Sequence, residues 1–153
     1  MPEFAPVRSL EILLAEDNEF DVHLTEAAFR DAIVPNRVNW VSDGEAAISF
    51  LKRVGEHSHA PRPDLILLDL NLPKMDGFQV LEAIKADPQL KNIPVIVVSG
   101  SNREADIARA YGLQASAYVV KPLEVDEYFA AIRSLKQLWF HAASPAPKPD
   151  SAD

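Results

Sequence analysis

Four short apolar runs in this chain end in groups that can do chemistry. LEILLA is followed by Glu16-Asp17, LILL by Asp69, VIVV by Ser99 and AYVV by Lys121. An isolated ionised carboxylate is costly to bury, so Asp69 at the end of an apolar strand needs a reason. If the runs are strands of one open α/β sheet, their carboxyl ends share a rim, and that rim is where ligands bind in such sheets. Three carboxylates, a hydroxyl and an ammonium then meet at the lip of the sheet. Carboxylates at close range do not all stay ionised without counter-charge. Lys121 supplies one positive group and a divalent cation is the natural second. The ligands are all oxygens, with no His or Cys in the pattern, which favours Mg²⁺. A metal and a lysine grouped around a carboxylate also make a phosphate site. Asp69 is the candidate nucleophile toward phosphorus, with the metal and Lys121 offsetting charge on the transferring group.

The elements that must position these groups are legible as a pattern. Strands are expected at Leu10 to Ala15, Val38 to Val41, Leu65 to Leu70, Val95 to Val98 and Ala117 to Val120. The first, third and fourth are nearly continuous Leu, Ile and Val, as in a parallel sheet covered on both faces. Between them lie helical stripes: Phe20, Leu24, Ala27 and Ala28; Ala47, Phe50, Leu51 and Val54; Val80, Leu81 and Ile84; Ile107, Ala110 and Tyr111; Tyr128, Ile132, Leu135 and Trp139. Ser101 and Glu104 have the spacing of a capping box ahead of the fourth stripe. Five βα units imply a parallel sheet with right-handed crossovers, too few for a barrel. The expected fold is a doubly wound (βα)5 α/β domain. A segment over 1–8 precedes it, the domain spans 9–143, and the Pro-rich, polar 144–153 is expected to be a disordered tail. Gly55 to Pro63 (GEHSHAPRP) reads as a flexible connector.

Composition narrows the function classes. The chain has 153 residues, 48% of them hydrophobic, which suits one globular domain. A net charge of −8 argues against a nucleic-acid surface and an acidic membrane face. The absence of cysteine excludes disulfides and thiol-based metal or redox sites. No signal-type apolar region opens the chain and no run is long enough to span a bilayer, so a cytoplasmic protein is expected.

Taken together, Glu16-Asp17, Asp69 within DLNLPKMDG, Ser99, Tyr118 and Lys121-Pro122 resemble a receiver domain, the phosphoacceptor module of two-component response regulators. The resemblance covers roughly 9–137. The wording DLNLP, IKADPQLKNIPVIVVS and DIARAYGLQASAYVVKP, with LKQLWF before the Pro-rich tail, is most similar to regulators that partner bacterial phytochrome-type histidine kinases. The resemblance implies a flavodoxin-like sheet of order 2-1-3-4-5. It implies that Asp69 takes a phosphoryl group from a phosphohistidine on a sensor histidine kinase, such as a bacteriophytochrome, or on a phosphotransfer protein. Glu16, Asp17 and Asp69 would hold Mg²⁺, joined by the backbone carbonyl of Asn71, whose side chain would face the attacking water. Lys121 would pair with the phosphoryl group, Ser99 would donate to it, and Tyr118 would turn inward as Ser99 moves. Pro122 would follow a cis peptide. A homodimer built with the last strand, the last helix and Trp139-Phe140 is also implied. Two departures stand out: Ser99 replaces a common threonine and loses the β-methyl that stiffens χ1, and Gly100 adds backbone freedom.

Simpler readings compete residue by residue. Glu16 and Asp17 could be helix N-terminal acids, Ser99 a loop-start residue, Tyr118 a core aromatic, Lys121 a surface lysine. Asp76-Gly77 reads as turn chemistry, and His57 and His59 lack further ligands for a metal. At the level of the whole chain, a haloacid-dehalogenase-type phosphohydrolase also forms an aspartyl phosphate. It needs a second aspartate where this chain has Asn71, and its nucleophile follows the first strand rather than the third. A degenerate receiver that binds without phosphorylation is opposed by the intact acidic pair, acceptor and lysine.

Overall fold

The computed structural model describes residues 9–30 and 35–143, with side chains through 134. The expectations for 1–8, for 144–153 and for the side chains of Trp139 and Phe140 lie outside the described residues.

The strands are β1 (Leu10–Ala15), β2 (Asn36–Val41), β3 (Leu65–Leu68), β4 (Val95–Ser99) and β5 (Ala117–Val120). The helices are α1 (Glu19–Arg30), α2 (Gly44–Lys52), α3 (Gly77–Ala86), α4 (Glu104–Gly112) and α5 (Val125–Ala143). All strand pairs are parallel and the order is β2-β1-β3-β4-β5. This is the flavodoxin-like α/β fold expected from the sequence. The order reverses between β1 and β3, which leaves a crevice beyond their carboxyl ends.

Strand alternation splits the core into two layers. Leu13, Ala15, Ile66, Leu68, Val95 and Val97 face α2 and α3 through Ala47, Phe50, Val80, Leu81 and Ile84. Ile12, Leu14, Leu65, Leu67, Ile96 and Val98 face α1 and α5 through Val22, Phe29, Tyr128 and Ile132. Every residue of β3 and β4 is buried, as their nearly continuous apolar runs require.

Local departures from the sequence reading have physical causes. β2 begins two residues before Val38, because Asn36 and Arg37 continue the ladder opposite Leu10 and Glu11. β3 stops at Leu68, where the Asp69 N–H still donates to the Ala15 carbonyl (3.0 Å) but the chain then turns away. The expected connector Gly55 to Pro63 opens with a 3-10 turn at Gly55–His57. Ser101 does not cap α4. Its hydroxyl donates to Asp106 Oδ2 (2.5 Å), and Arg103 at the N-cap position makes no capping bond, its guanidinium donating to Asp106 Oδ1 (3.3 Å) instead. Asp76 is the true capping-box residue: its side chain accepts from the Gln79 N–H while the Gln79 side chain accepts from the Asp76 N–H. Among the described residues no peptide bond is cis, so Lys121–Pro122 is trans, the isomer an X–Pro bond prefers by about 0.5–1 kcal/mol.

Candidate functional site

The parallel register places the polar groups side by side. Ala15 pairs with Leu68, Leu68 with Val97 and Ser99 with Val120, so the residues just beyond β1, β3 and β5 emerge at one level, beside Ser99 at the end of β4. Glu16 is anchored by its N–H to the Val41 carbonyl (3.1 Å) and Lys121 by its N–H to the Ser99 carbonyl (2.7 Å). Glu16, Asp69 and Ser99 are buried, Asp17 is exposed.

The ammonium of Lys121 is the hub. Its Nζ donates to Glu16 Oε1 at 2.6 Å, Asp21 Oδ2 at 2.9 Å and Asp69 Oδ2 at 3.0 Å. A lysine has three N–H donors, and each meets one carboxylate. The second oxygens are also engaged. Glu16 Oε2 accepts from the Asn18 N–H (3.0 Å), and Asp69 Oδ1 accepts from the Asn71 N–H (3.0 Å). These turns fix both carboxylates before any ligand arrives.

The electrostatics are those of a site short of positive charge. Burial, and then the neighbouring Asp69 carboxylate, push Glu16 up from 4.5 to about 7, against the opposing pull of Lys121. Burial works against the charged form of Lys121, but Asp69 and Glu16 overcome it and hold the ammonium well above the usual lysine range. Glu16, Asp17 and Asp69 each bring a carboxylate oxygen to within 4.8 Å of the others. With a single lysine against this group, the triad suits a divalent cation held by oxygens. Its exposed side at Asp17 leaves room for water ligands and an incoming group.

Glycine at position 77 lets α3 close under the site. A Cβ there would stand 2.4 Å from the Asp69 carbonyl oxygen and 2.5 Å from the Leu70 Cα, closer than real Cβ contacts allow. The Gly77 N–H donates to the Leu70 carbonyl (2.9 Å), so the turn bearing Asp69 is pinned to the helix start.

Ser99 and Tyr118 clasp the loop after β4. Ser99 Oγ accepts from the Ser101 N–H (3.2 Å), and the Tyr118 hydroxyl donates to the Ser101 carbonyl (2.8 Å). The structure brings Glu16, Asp17, Asp69 and Lys121 together beyond β1, β3 and β5, with Asn71 bonded to Asp69, Ser99 closing β4 and Tyr118 bonded to the loop that follows. Sequence reasoning missed Asp21, which looks like an ordinary first-turn acid until α1 is set against the end of β5. It also missed Trp40, whose Nε1–H donates to the Glu16 carbonyl (2.6 Å). His57 and His59 lie away from the acidic cluster, in the Gly55–Pro63 segment; no acidic or histidine group at them forms a cluster of ligating atoms among the described residues.

A five-stranded parallel sheet with an acidic triad and a lysine at its carboxyl rim is the arrangement of a phosphoacceptor signalling domain. The comparisons with known proteins agree. The response regulator receiver domain model matches residues 12–133, and the chain belongs to that family. Response regulator Rcp1 of Synechocystis sp. is 38% identical over 133 residues, covering 87% of this chain and 90% of that protein. The Mn(2+)-bound form of Rcp1 superposes with a TM-score of 0.83 over 85% of this chain and 94% of that one. The phosphorylated cyanobacterial phytochrome response regulator RcpA is 41% identical, with a TM-score of 0.86 over 92% of this chain and 100% of that one. The bacteriophytochrome response regulator AtBRR is 39% identical, with a TM-score of 0.69 over 84% and 93%. The chain is thus a receiver domain, a signalling phosphoacceptor rather than a classical enzyme, of a family that partners histidine kinases. Among the described residues no helix is long and apolar enough to cross a membrane.

Proposed function

We propose that this chain accepts a phosphoryl group on Asp69 from the phosphohistidine of a sensor histidine kinase or phosphotransfer protein. A bacteriophytochrome is the kinase type its relatives suggest. The observation that carries the reading is the Lys121 ammonium, 3.0 Å from Asp69 Oδ2, within a triad of carboxylates that converge to 4.8 Å. An Asp69 oxygen attacks phosphorus, the P–N bond of the donor breaks, and its electron pair stays on the imidazole. Lys121 follows the charge from the Asp69 carboxylate onto the phosphoryl oxygens. Glu16, Asp17, Asp69 and the Asn71 carbonyl would hold Mg²⁺, which when bound neutralises charge on the transferring group.

Ser99 and Tyr118 form the relay. When the Ser99 hydroxyl turns to a phosphoryl oxygen, it gives up the Ser101 N–H. The Tyr118 ring, packed against the core layer of Val95 and Val97, is tied to this loop through its hydroxyl and moves with it. A hydrogen bond to a charged group supplies about 1.5–3 kcal/mol, whereas a full reversal of a two-state equilibrium takes roughly 5.5 kcal/mol. A binding partner that prefers the active form supplies the rest. A homodimer through β5 and α5 would do so. Its support is the exposed apolar set Val120, Leu123 and Val125, and Trp139 and Phe140 are assigned to the same interface. The receiver unit is taken as 9–143, acting in the cytoplasm.

The test is incubation with acetyl phosphate and Mg²⁺ followed by intact mass. One phosphoryl adduct in the wild type, absent in Asp69→Asn, supports the reading; an unmodified wild type overturns it in favour of a receiver that binds without phosphorylation.

A further inference from the structure

The proposed transfer to Asp69 uses every acid around Lys121 except one. Asp21 belongs to the first turn of α1, outside the triad that converges for a cation. Yet its Oδ2 lies 2.9 Å from Lys121 Nζ, as close as the acceptor itself. The Asp21 side chain is only 22% exposed, so the pair is shielded from the screening that weakens surface ion pairs. Its backbone is fixed independently. The Asp21 N–H donates to Asn18 Oδ1 (3.0 Å), and its carbonyl accepts from the Thr25 hydroxyl (2.9 Å). Thr25 Oγ1 in turn meets the buried Tyr128 hydroxyl of α5 at 3.0 Å. Asp21 thus projects its carboxylate from a turn tied on both sides.

Lysine is a flexible stem with a point charge. Three anchors from three elements turn it into an oriented donor: Glu16 beyond β1, Asp21 on α1 and Asp69 beyond β3. The Asp69 contact changes character once that oxygen bonds to phosphorus, and Glu16 is also required for a cation. Asp21 is the anchor with no other duty. We propose that Asp21 is a positioning residue for phosphoryl transfer: it holds the Lys121 ammonium over Asp69 so that one N–H is aimed at the incoming phosphoryl oxygens. The proposal rests on Asp69 being the acceptor.

Two variants separate aim from charge. Asp21→Ala removes the anchor. Asp21→Asn keeps a carbonyl acceptor of the same length and removes the charge. Both leave the backbone bonds to Asn18 and Thr25 in place, and Mg²⁺ titration with melting curves confirms that each folds. The first readout needs no phosphorylation: the ¹H–¹⁵N signal of the Lys121 ammonium, visible only when its protons are held in bonds. It is expected to be sharp in the wild type and in Asp21→Asn, and broadened in Asp21→Ala, where only Glu16 and Asp69 still hold the ammonium. The second is the rate constant for phosphorylation by acetyl phosphate at saturating Mg²⁺. It is expected to fall roughly tenfold in Asp21→Ala, since small misplacements of a reacting group carry costs of this order or more, and to recover at least half-way in Asp21→Asn. Wild-type or faster phosphorylation by Asp21→Ala would overturn the proposal, since the carboxylate would then act only by repelling the anionic donor. So would Asp21→Asn being no better than Asp21→Ala. Failure of the wild type to accept a phosphoryl group while the ammonium signal follows Asp21 would refute Asp69 as acceptor, and with it the role in transfer, while leaving the anchoring intact.

Discussion

A cation held by Glu16 should bind in a pH-sensitive way. The group is buried beside Asp69 and is pushed up to about 7, while Lys121 and the Asn18 N–H pull against that rise. In the metal-free protein the folded state therefore holds a proton that the unfolded chain releases near 4.5. Stability from this group is present below the unfolded value and is lost as pH rises through about 7, with a ceiling of about 3 kcal/mol. A cation bound by the Glu16 carboxylate must displace that proton. For one competing proton the apparent affinity scales with the ionised fraction, so it weakens about tenfold from about pH 8 to about pH 6. Binding releases about half a proton at about pH 7 and about 0.9 at about pH 6. Trp40 provides the assay, because its indole N–H bonds the Glu16 carbonyl and its fluorescence reports the loop. A Trp139→Phe background isolates the signal. Calorimetry in two buffers of different ionisation enthalpy counts the protons. Glu16→Gln should remove the pH dependence. Equal Mg²⁺ affinity at both pH values, with no proton released, would refute the reasoning.

Other perturbations address separate parts of the structure. Gly77→Ala forces a methyl into the Asp69 carbonyl; stability should fall by about 1–3 kcal/mol in denaturant melts and phosphorylation should slow with it. Thr25→Val orphans the buried Tyr128 hydroxyl and should cost about 1–3 kcal/mol, whereas Tyr128→Phe leaves Thr25 bonded to the Asp21 carbonyl and should cost about 1 kcal/mol or less. Equal costs in urea unfolding would remove the asymmetry argument. Ser99→Ala should still accept a phosphoryl group but fail to shift Tyr118, read by ring NMR signals with beryllofluoride; a full shift would take Ser99 out of the relay.

Much of the site was legible because strands of a doubly covered sheet tolerate almost no polar residues. Against LEILLA and LILL, the carboxylates of Glu16, Asp17 and Asp69 mark where the sheet ends, and parallel pairing puts those ends together. Lys121 follows by the same logic. Asp21 was hidden because acids in a first helical turn are ordinary; only the packing of α1 beside the β5 exit gives it a cation. Trp40 was hidden because β-strand aromatics are common, and its bond to Glu16 depends on the neighbouring strand's exit. The trans Lys121–Pro122 bond and the uncapped start of α4 show the limit of motif reading. Spacing identifies which bonds are available, and tertiary contacts decide which are made. Ser101 had the spacing of a cap, and Asp106 took its hydroxyl.

Groups far apart in sequence are proposed to surround one cation beside Asp69. Mn²⁺ in place of Mg²⁺ measures this directly, through paramagnetic broadening of backbone amide signals. Residues 16–18, 69–71, 99–101 and 121 should broaden first, and excess Mg²⁺ should restore them, while 55–63 stay sharp. Broadening centred on the His57–His59 segment, or none at the ends of β1 and β3, would contradict it.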